Sequence, residues 1–405
     1  MPHRLRLPAA VVAAIVVAEA AVLLLRPKER YPVVEAEARA YFSAAELDRA
    51  TTFRSGQLWL FGARTVVELG ILVLAVRYAP RAGKRPVLTG AAAAVALTLA
   101  TTTVALPLRA AARQRAKDVG LITQGWDGWA IDVAKSTAIG GVVAAGGGAL
   151  LVLGIRRFGR DWWAPGAAAV AGFAVVISYL APVVLDPMFN QFKALPAGET
   201  RDDVFQLASR AGVEVGEVYE VDASRRTTAA NAYVTGLGHT KRVVLYDTLL
   251  KEFTPAETRL VVAHELGHVR HKDVPGGLLW VALVAPFGTL VVARATEKLT
   301  RDGRSPVPAA VLSLALIAPA LTMISNQLSR AVERRADAFA LELTGEPEAM
   351  IGFERKITLQ NVGDPDPPRW QQVFMATHPT TMERIGAALG ATPRSGSPDA
   401  SPGGA

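Results

Sequence analysis

The sequence predicts a mainly α-helical fold in which a bundle of seven transmembrane helices is joined to a water-exposed domain carrying a small β-sheet. Three observations predict it. Of the 405 residues 51% are hydrophobic, and mean hydropathy is +0.26, high for a chain that must dissolve in water. Seven apolar stretches, near 8–25, 57–76, 87–108, 138–155, 162–185, 274–293 and 306–326, are each about 20 residues long, roughly what a helix needs to cross a bilayer. Two hydrophilic regions, 187–273 and 327–405, break that pattern.

Taken in order, the first stretch follows Arg4 and Arg6 and contains Ala18-Glu19-Ala20, which imitates a secretory cleavage site. Its apolar run passes that site, reaches Leu25 and ends at Arg26, Lys28 and Arg30, which favours a retained span over a signal peptide. The second stretch carries Arg64 and Glu68 four residues apart. Charge is costly in hydrocarbon, so this pair, like Glu19 in the first span, either faces water or the bundle interior or is paired along its own helix. The run Ala145-Gly146-Gly147-Gly148 in the fourth stretch suits close helix packing.

The first hydrophilic region reads as a helix around 201–211, a strand around 213–221, a strand over Arg242–Tyr246 and a helix from about 255 to 271. A short loop at 294–305 joins the last two spans, and a helix runs on from the seventh. Two spans separate the hydrophilic regions, so both lie on one side of the membrane. The sequence thus divides into a membrane domain over 1–186, a second domain over 187–391 that includes the spans 274–293 and 306–326, and a Pro-, Ser- and Gly-rich disordered tail over 392–405.

The chain has no cysteine, so thiolate ligands and disulfides are excluded and any metal must be held by histidine and carboxylate. The net charge of +8 is spread through loops flanking the spans, and no basic stripe or nucleic-acid motif appears. Nucleic acid is therefore not an expected partner. Lys and Arg divide almost evenly between the two sets of loops, so charge does not orient the chain.

Chemistry concentrates at His264-Glu265-Leu266-Gly267-His268. Residues four apart share a helix face, so His264 and His268 can offer nitrogens to one Zn²⁺ while Glu265 lies beside a metal-bound water as general base. Catalytic zinc takes three protein ligands and keeps a position for water. An extended three-histidine motif would need glycine at 271 and histidine at 274, where the chain has His271 and Val274. His271 reads as a solvated helix end. The third ligand is expected to be Glu333, because the chain descends through the sixth span and returns through the seventh to the same face. Read alone, the stretch from Glu333 to Asp337 could be a salt-bridged helix surface. Asp337, one turn beyond Glu333, can accept the free N–H of a liganding histidine. His378, before Pro379, is a candidate donor to the tetrahedral oxyanion or else a turn cap.

These residues resemble the type I CAAX prenyl proteases, integral-membrane zinc endopeptidases of gluzincin type. The resemblance rests on Leu185-Asp186-Pro187-Met188-Phe189-Asn190, Asn231 to Gly236, Arg242 to Leu250, the histidine motif, Glu333 with Asp337, and His378-Pro379 with Arg384. It implies seven helices around a water-filled intramembrane chamber. It also implies that Asn231 and the strand near it hold an extended peptide substrate, and that His378 and Arg384 line the site. One Zn²⁺ per chain, a lipid-modified or membrane-associated peptide substrate, and a cytoplasmic catalytic domain follow as expectations. The Ala, Val and Arg bias suggests a bacterial plasma membrane, where cleavage of damaged membrane proteins is an alternative task for the same chemistry. A non-enzymatic scaffold or transporter is a further alternative, against which Glu265 argues, since a scaffold needs no general base.

Overall fold

A computed structural model describes residues 6–28, 32–81, 83–236 and 241–392; the expectations for Arg4, Arg30 and the tail beyond 392 lie outside them. Among the described residues, seven helices are long and apolar enough to span a membrane. They are α1 (Arg6–Leu25), α2 (Ala44–Arg77), α3 (Pro86–Asp118), α4 (Trp126–Phe158) and α5 (Trp163–Leu180), followed after the strands by α9 (Asp273–Leu299) and α10 (Val307–Thr344). Between the two sets come α6 (Glu199–Ala211), α7 (Asp247–Glu252) and α8 (Pro255–Arg270), and after them α11 (Pro347–Gln360), α12 (Arg369–Phe374) and α13 (Thr381–Ala391).

α2, α3, α4, α9 and α10 outrun their apolar segments because polar turns continue each of them, whereas α5 ends at Leu180, short of the expected 185. α2 begins at Ala44 rather than near 57, where Ser43 and Glu46 cap its first turn reciprocally. The loop expected at 294–305 shrinks to residues 300–306. α9 continues to Leu299, held by Arg294 at 2.8 Å and Arg160 at 3.0 Å from Glu297. α10 passes from its apolar half to the second hydrophilic region without a break.

α9 lies between α1 and α5 and also packs on α10, while α3 packs between α2 and α4 and α2 closes back on α10. α1 is built into this bundle: Ala18, Ala21 and Val22 are buried against Val284 of α9 and Ile324 and Leu328 of α10. Within the glycine run of α4, only Gly148 is used for close packing. A Cβ there would sit 2.6 Å from the Gly90 carbonyl oxygen of α3, whereas at Gly146 and Gly147 it would meet nothing within 4 Å. Arg64 and Glu68 pair along α2 at 3.5 Å and are each more than one-third exposed.

The sheet has four strands in the order β1-β2-β4-β3, with β1 (Phe192–Ala194) antiparallel to β2 (Glu217–Val221), β2 parallel to β4 (Arg242–Tyr246), and β3 (Ala232–Thr235) antiparallel to β4. The strand expected from 213 starts only at Glu217, and β1, too short to show periodicity, was not expected. Val218, Val243 and Leu245 pack against Val204 and Leu207 of α6 and Val262 and Leu266 of α8. This core seats the sheet against α8, the helix that carries the histidines. The loop after α3 is stitched to the segment before β3: Ile122 pairs with Thr227, and Thr123 Oγ1 donates to Ser224 O at 2.8 Å.

Candidate active site

α8 starts at a fixed point because Thr254 and Glu257 cap one another and Pro255 occupies the first turn. Two turns on, His264 and His268 emerge on one face, their Nε2 atoms 3.1 Å apart. α8 lies close on α10 at Gly267, where a Cβ would come within 3.1 Å of the Phe339 ring. That closeness brings Glu333 of α10 to the histidines, with Oε2 3.2 Å from His264 Nε2 and Oε1 3.7 Å from His268 Nε2. His271 is turned away, its Nδ1 2.8 Å from Gly267 O and its ring edge-on to Phe339, the helix-end position read from the sequence.

The donor set fits a small divalent ion. One donor atom from each of His264, His268 and Glu333 lies within 4.8 Å of the others. Tetrahedral ligands about 2.0–2.2 Å from zinc stand roughly 3.3–3.6 Å apart, close to these spacings. Glu333 Oε2 is buried and approaches His264 without an aligned hydrogen bond. A buried carboxylate oxygen without a hydrogen-bond donor is costly unless a cation completes it.

Behind the donors, Asp337 is fully buried, with Oδ1 2.9 Å from His264 Nδ1. Arg384 forks onto the same carboxylate, Nε to Oδ2 at 2.9 Å and Nη2 to Oδ1 at 2.6 Å. Its remaining nitrogen, Nη1, lies 2.5 Å from Glu354 Oε1. Burial pushes the Glu354 carboxyl up to about 7. His268 has its own carboxylate: Asp273 Oδ2 is 2.8 Å from Nδ1, and Arg335 bonds the other Asp273 oxygen.

Glu265 has no hydrogen bond or ion pair with any described residue and opens onto a cavity of about 280 Å³. Burial raises its pKa above the ordinary carboxylate value. His264, Asn231, His378 and Arg384 line the same cavity. His378 is exposed, its Nε2 3.4 Å from Glu333 Oε2. Asn231 directly precedes β3, an edge strand paired on one side only, with β4. Of the residues singled out in the sequence, Asn231, His264, Glu265, Asp337, His378 and Arg384 line this cavity, while His268 and Glu333 lie beside His264 without lining it. Sequence reasoning missed Glu354, Asp273 and Arg335. Asp273, a carboxylate five residues after the second histidine, was the one visible signal among them.

Two family models match: Peptidase family M48 over residues 194–392, and CAAX prenyl protease N-terminal, five membrane helices, over 54–191. The uncharacterized metalloprotease YhfN of Bacillus subtilis is 33% identical over 300 residues, 71% of this chain and 70% of that one. A CAAX prenyl protease 1 homolog of Oryza sativa is 30% identical over 53% of this chain and 52% of its own length. CAAX prenyl protease 1 of Saccharomyces cerevisiae is 27% identical over 64% and 62%. The chain thus spans about half the length of the rice relative. The crystal structure of S. mikatae Ste24p superposes with a TM-score of 0.75 over 96% of this chain and 99% of that one at 20% identity, a likeness of fold. Fold and family together define an integral-membrane metalloendopeptidase. The chain belongs to peptidase family M48, among the CAAX prenyl proteases.

Proposed function

We propose that this chain is a zinc-dependent endopeptidase in which His264, His268 and Glu333 hold one Zn²⁺ and Glu265 is the general base. The observation that carries this reading is the convergence of those three donors beside Glu265, a carboxylate with no hydrogen bond or ion pair among the described residues. Zinc bound there would lower the pKa of a water towards neutrality and polarise the scissile carbonyl. Glu265 takes the proton of the attacking water and hands it to the leaving amine. His378 Nε2, exposed beside Glu333, donates to the oxyanion. Asn231 and the edge strand β3 align an extended peptide by strand addition. Arg384 acts through Asp337, locking the carboxylate that orients His264.

The substrate in this reading is a peptide presented at the bilayer, lipid-modified or otherwise membrane-associated. The proposed division is a membrane domain over 1–186 and a peptidase domain over 187–391, with the peptidase side facing the cytoplasm. Glu265→Gln keeps all three metal donors and removes the proton acceptor. Purified Glu265→Gln should therefore retain stoichiometric zinc and lose nearly all cleavage of an unstructured reporter peptide. Cleavage at the parent rate would remove Glu265 from the mechanism.

A further inference from the structure

His264 and His268 are both held from behind, and the two arms are built alike. On the His264 side an arginine, Arg384, grips the carboxylate of Asp337, which lies 2.9 Å from Nδ1. On the His268 side Arg335 grips the carboxylate of Asp273, which lies 2.8 Å from Nδ1. Neither Asp273 nor Arg335 touches the cavity that the substrate would enter. Their environment is nonetheless that of a built site: the Asp273 side chain is 10% exposed and that of Arg335 is 19% exposed.

The backbone shows how the second arm is put in place. α8 ends at Arg270, and Lys272 takes up a left-handed conformation, φ 57 and ψ 45, which a residue with a side chain adopts only where its surroundings impose it. That turn starts α9 at Asp273, one turn beyond His268 in space, with the carboxylate directed back at the imidazole. A negative charge in the first turn of α9 is also favoured by the helix dipole. Arg335 comes from α10, two residues after Glu333, and so ties the same helix that supplies a metal donor to the first residue of the preceding span.

We infer that Asp273 and Arg335 are a positioning pair for the metal centre: Asp273 accepts the Nδ1 proton of His268, which leaves Nε2 free to bind zinc, and Arg335 fixes Asp273 in that role. The inference rests on the metal reading proposed above and adds the residues that set how tightly the metal is held. An imidazole whose Nδ1 proton is bonded to an anion presents a more basic Nε2 in a fixed direction. Loss of that partner leaves the ring free to rotate and to place its proton on the wrong nitrogen. The effect expected for such a support is roughly 10–100-fold in metal affinity.

The test is zinc affinity of the full-length chain in detergent, measured by competition with a chromogenic chelator, with thermal unfolding of the metal-free protein recorded alongside. Asp273→Ala should weaken zinc binding by roughly 10–100-fold, and Asp273→Asn, which keeps an acceptor oxygen but no charge, by less. Arg335→Met should weaken it to an intermediate degree. The double variant should be no worse than Asp273→Ala alone, because the arginine acts only through the aspartate. Asp203→Ala breaks a comparable ion pair with Arg259, 3.2 Å long, and should leave zinc affinity unchanged. Asp273→Ala or Asp273→Asn binding zinc within twofold of the parent would overturn the inference, as would additive losses in the double variant. If Asp273→Ala unfolds, Asp273→Asn and Arg335→Met decide the matter. A parent chain that retains no zinc would instead overturn the metal reading itself, an outcome distinct from any difference among the variants.

Discussion

Neighbouring glycines in α4 should respond in opposite directions to the same substitution. At Gly148 an added methyl group would lie 2.6 Å from the Gly90 carbonyl oxygen and 2.8 Å from Ala94 Cβ, whereas unstrained contacts between carbon atoms need about 3.5–4.0 Å. α3 and α4 must therefore separate locally by about 1 Å, and overpacking of this kind costs about 1–3 kcal/mol. Replacing glycine by alanine in a helix returns about 1 kcal/mol of backbone propensity. Gly148→Ala should then be destabilising by up to about 2 kcal/mol, the balance of those two effects. At Gly147 the new methyl meets nothing within 4 Å, so Gly147→Ala keeps the propensity gain and should be neutral or stabilising by up to about 1 kcal/mol. Reversible unfolding of both variants in the same mixed micelles measures the difference. If Gly148→Ala proved as stable as Gly147→Ala, the close approach of α3 and α4 would not be what holds them.

Two further outcomes follow from the site. Glu333→Ala should lose stoichiometric zinc, whereas Asp337→Ala should keep zinc with roughly 10–100-fold weaker affinity; equal zinc content in parent and Glu333→Ala would call for another third donor. The Glu354 carboxyl is raised by burial from 4.5 to about 7 in the folded chain, so the unfolded chain releases that proton first. The stabilising contribution is fully present below about 4.5 and is lost as pH rises towards 7, in total on the order of 3 kcal/mol. Glu354→Gln should lack this slope, read as the difference in unfolding free energy between variant and parent from pH 4.5 to 7.5. Parallel pH profiles for the two proteins would contradict it.

What the sequence made legible was whatever has a local period or a chemical spacing. Seven apolar runs of the right length gave the spans, and two histidines four apart gave the face of α8. Glu333 was found by following the chain through the membrane and back. The short strand β1 and the early start of β2 were obscure because three- to five-residue strands carry almost no periodicity. The long polar extension of α2 was obscure because hydropathy marks only the part of a helix that meets lipid. Arg335 and Glu354 could not be picked out for a different reason. Their importance comes from which buried group they face, and that pairing is made by α9 packing with α10 and α11 with α13, at sequence separations that no motif encodes.

α10 is a continuous helix of 38 residues with Pro319 inside it, about 57 Å long at the rise of an α-helix. Glu333 lies 26 residues from its start at Val307 (333 − 307), about 39 Å along. A rotation of one degree about the far end would move Glu333 by about 0.7 Å, a sizeable fraction of the 3.2 Å that separates it from His264. In the proposed mechanism the helix is therefore a lever whose apolar arm would lie in lipid and whose other end carries the proposed metal donor Glu333. Transmembrane helices accommodate a thicker or thinner bilayer largely by tilting, so the acyl-chain length of the surrounding lipid bears on the geometry at which Glu333 meets the histidines. On the proposed mechanism the bilayer would be mechanically part of the active site.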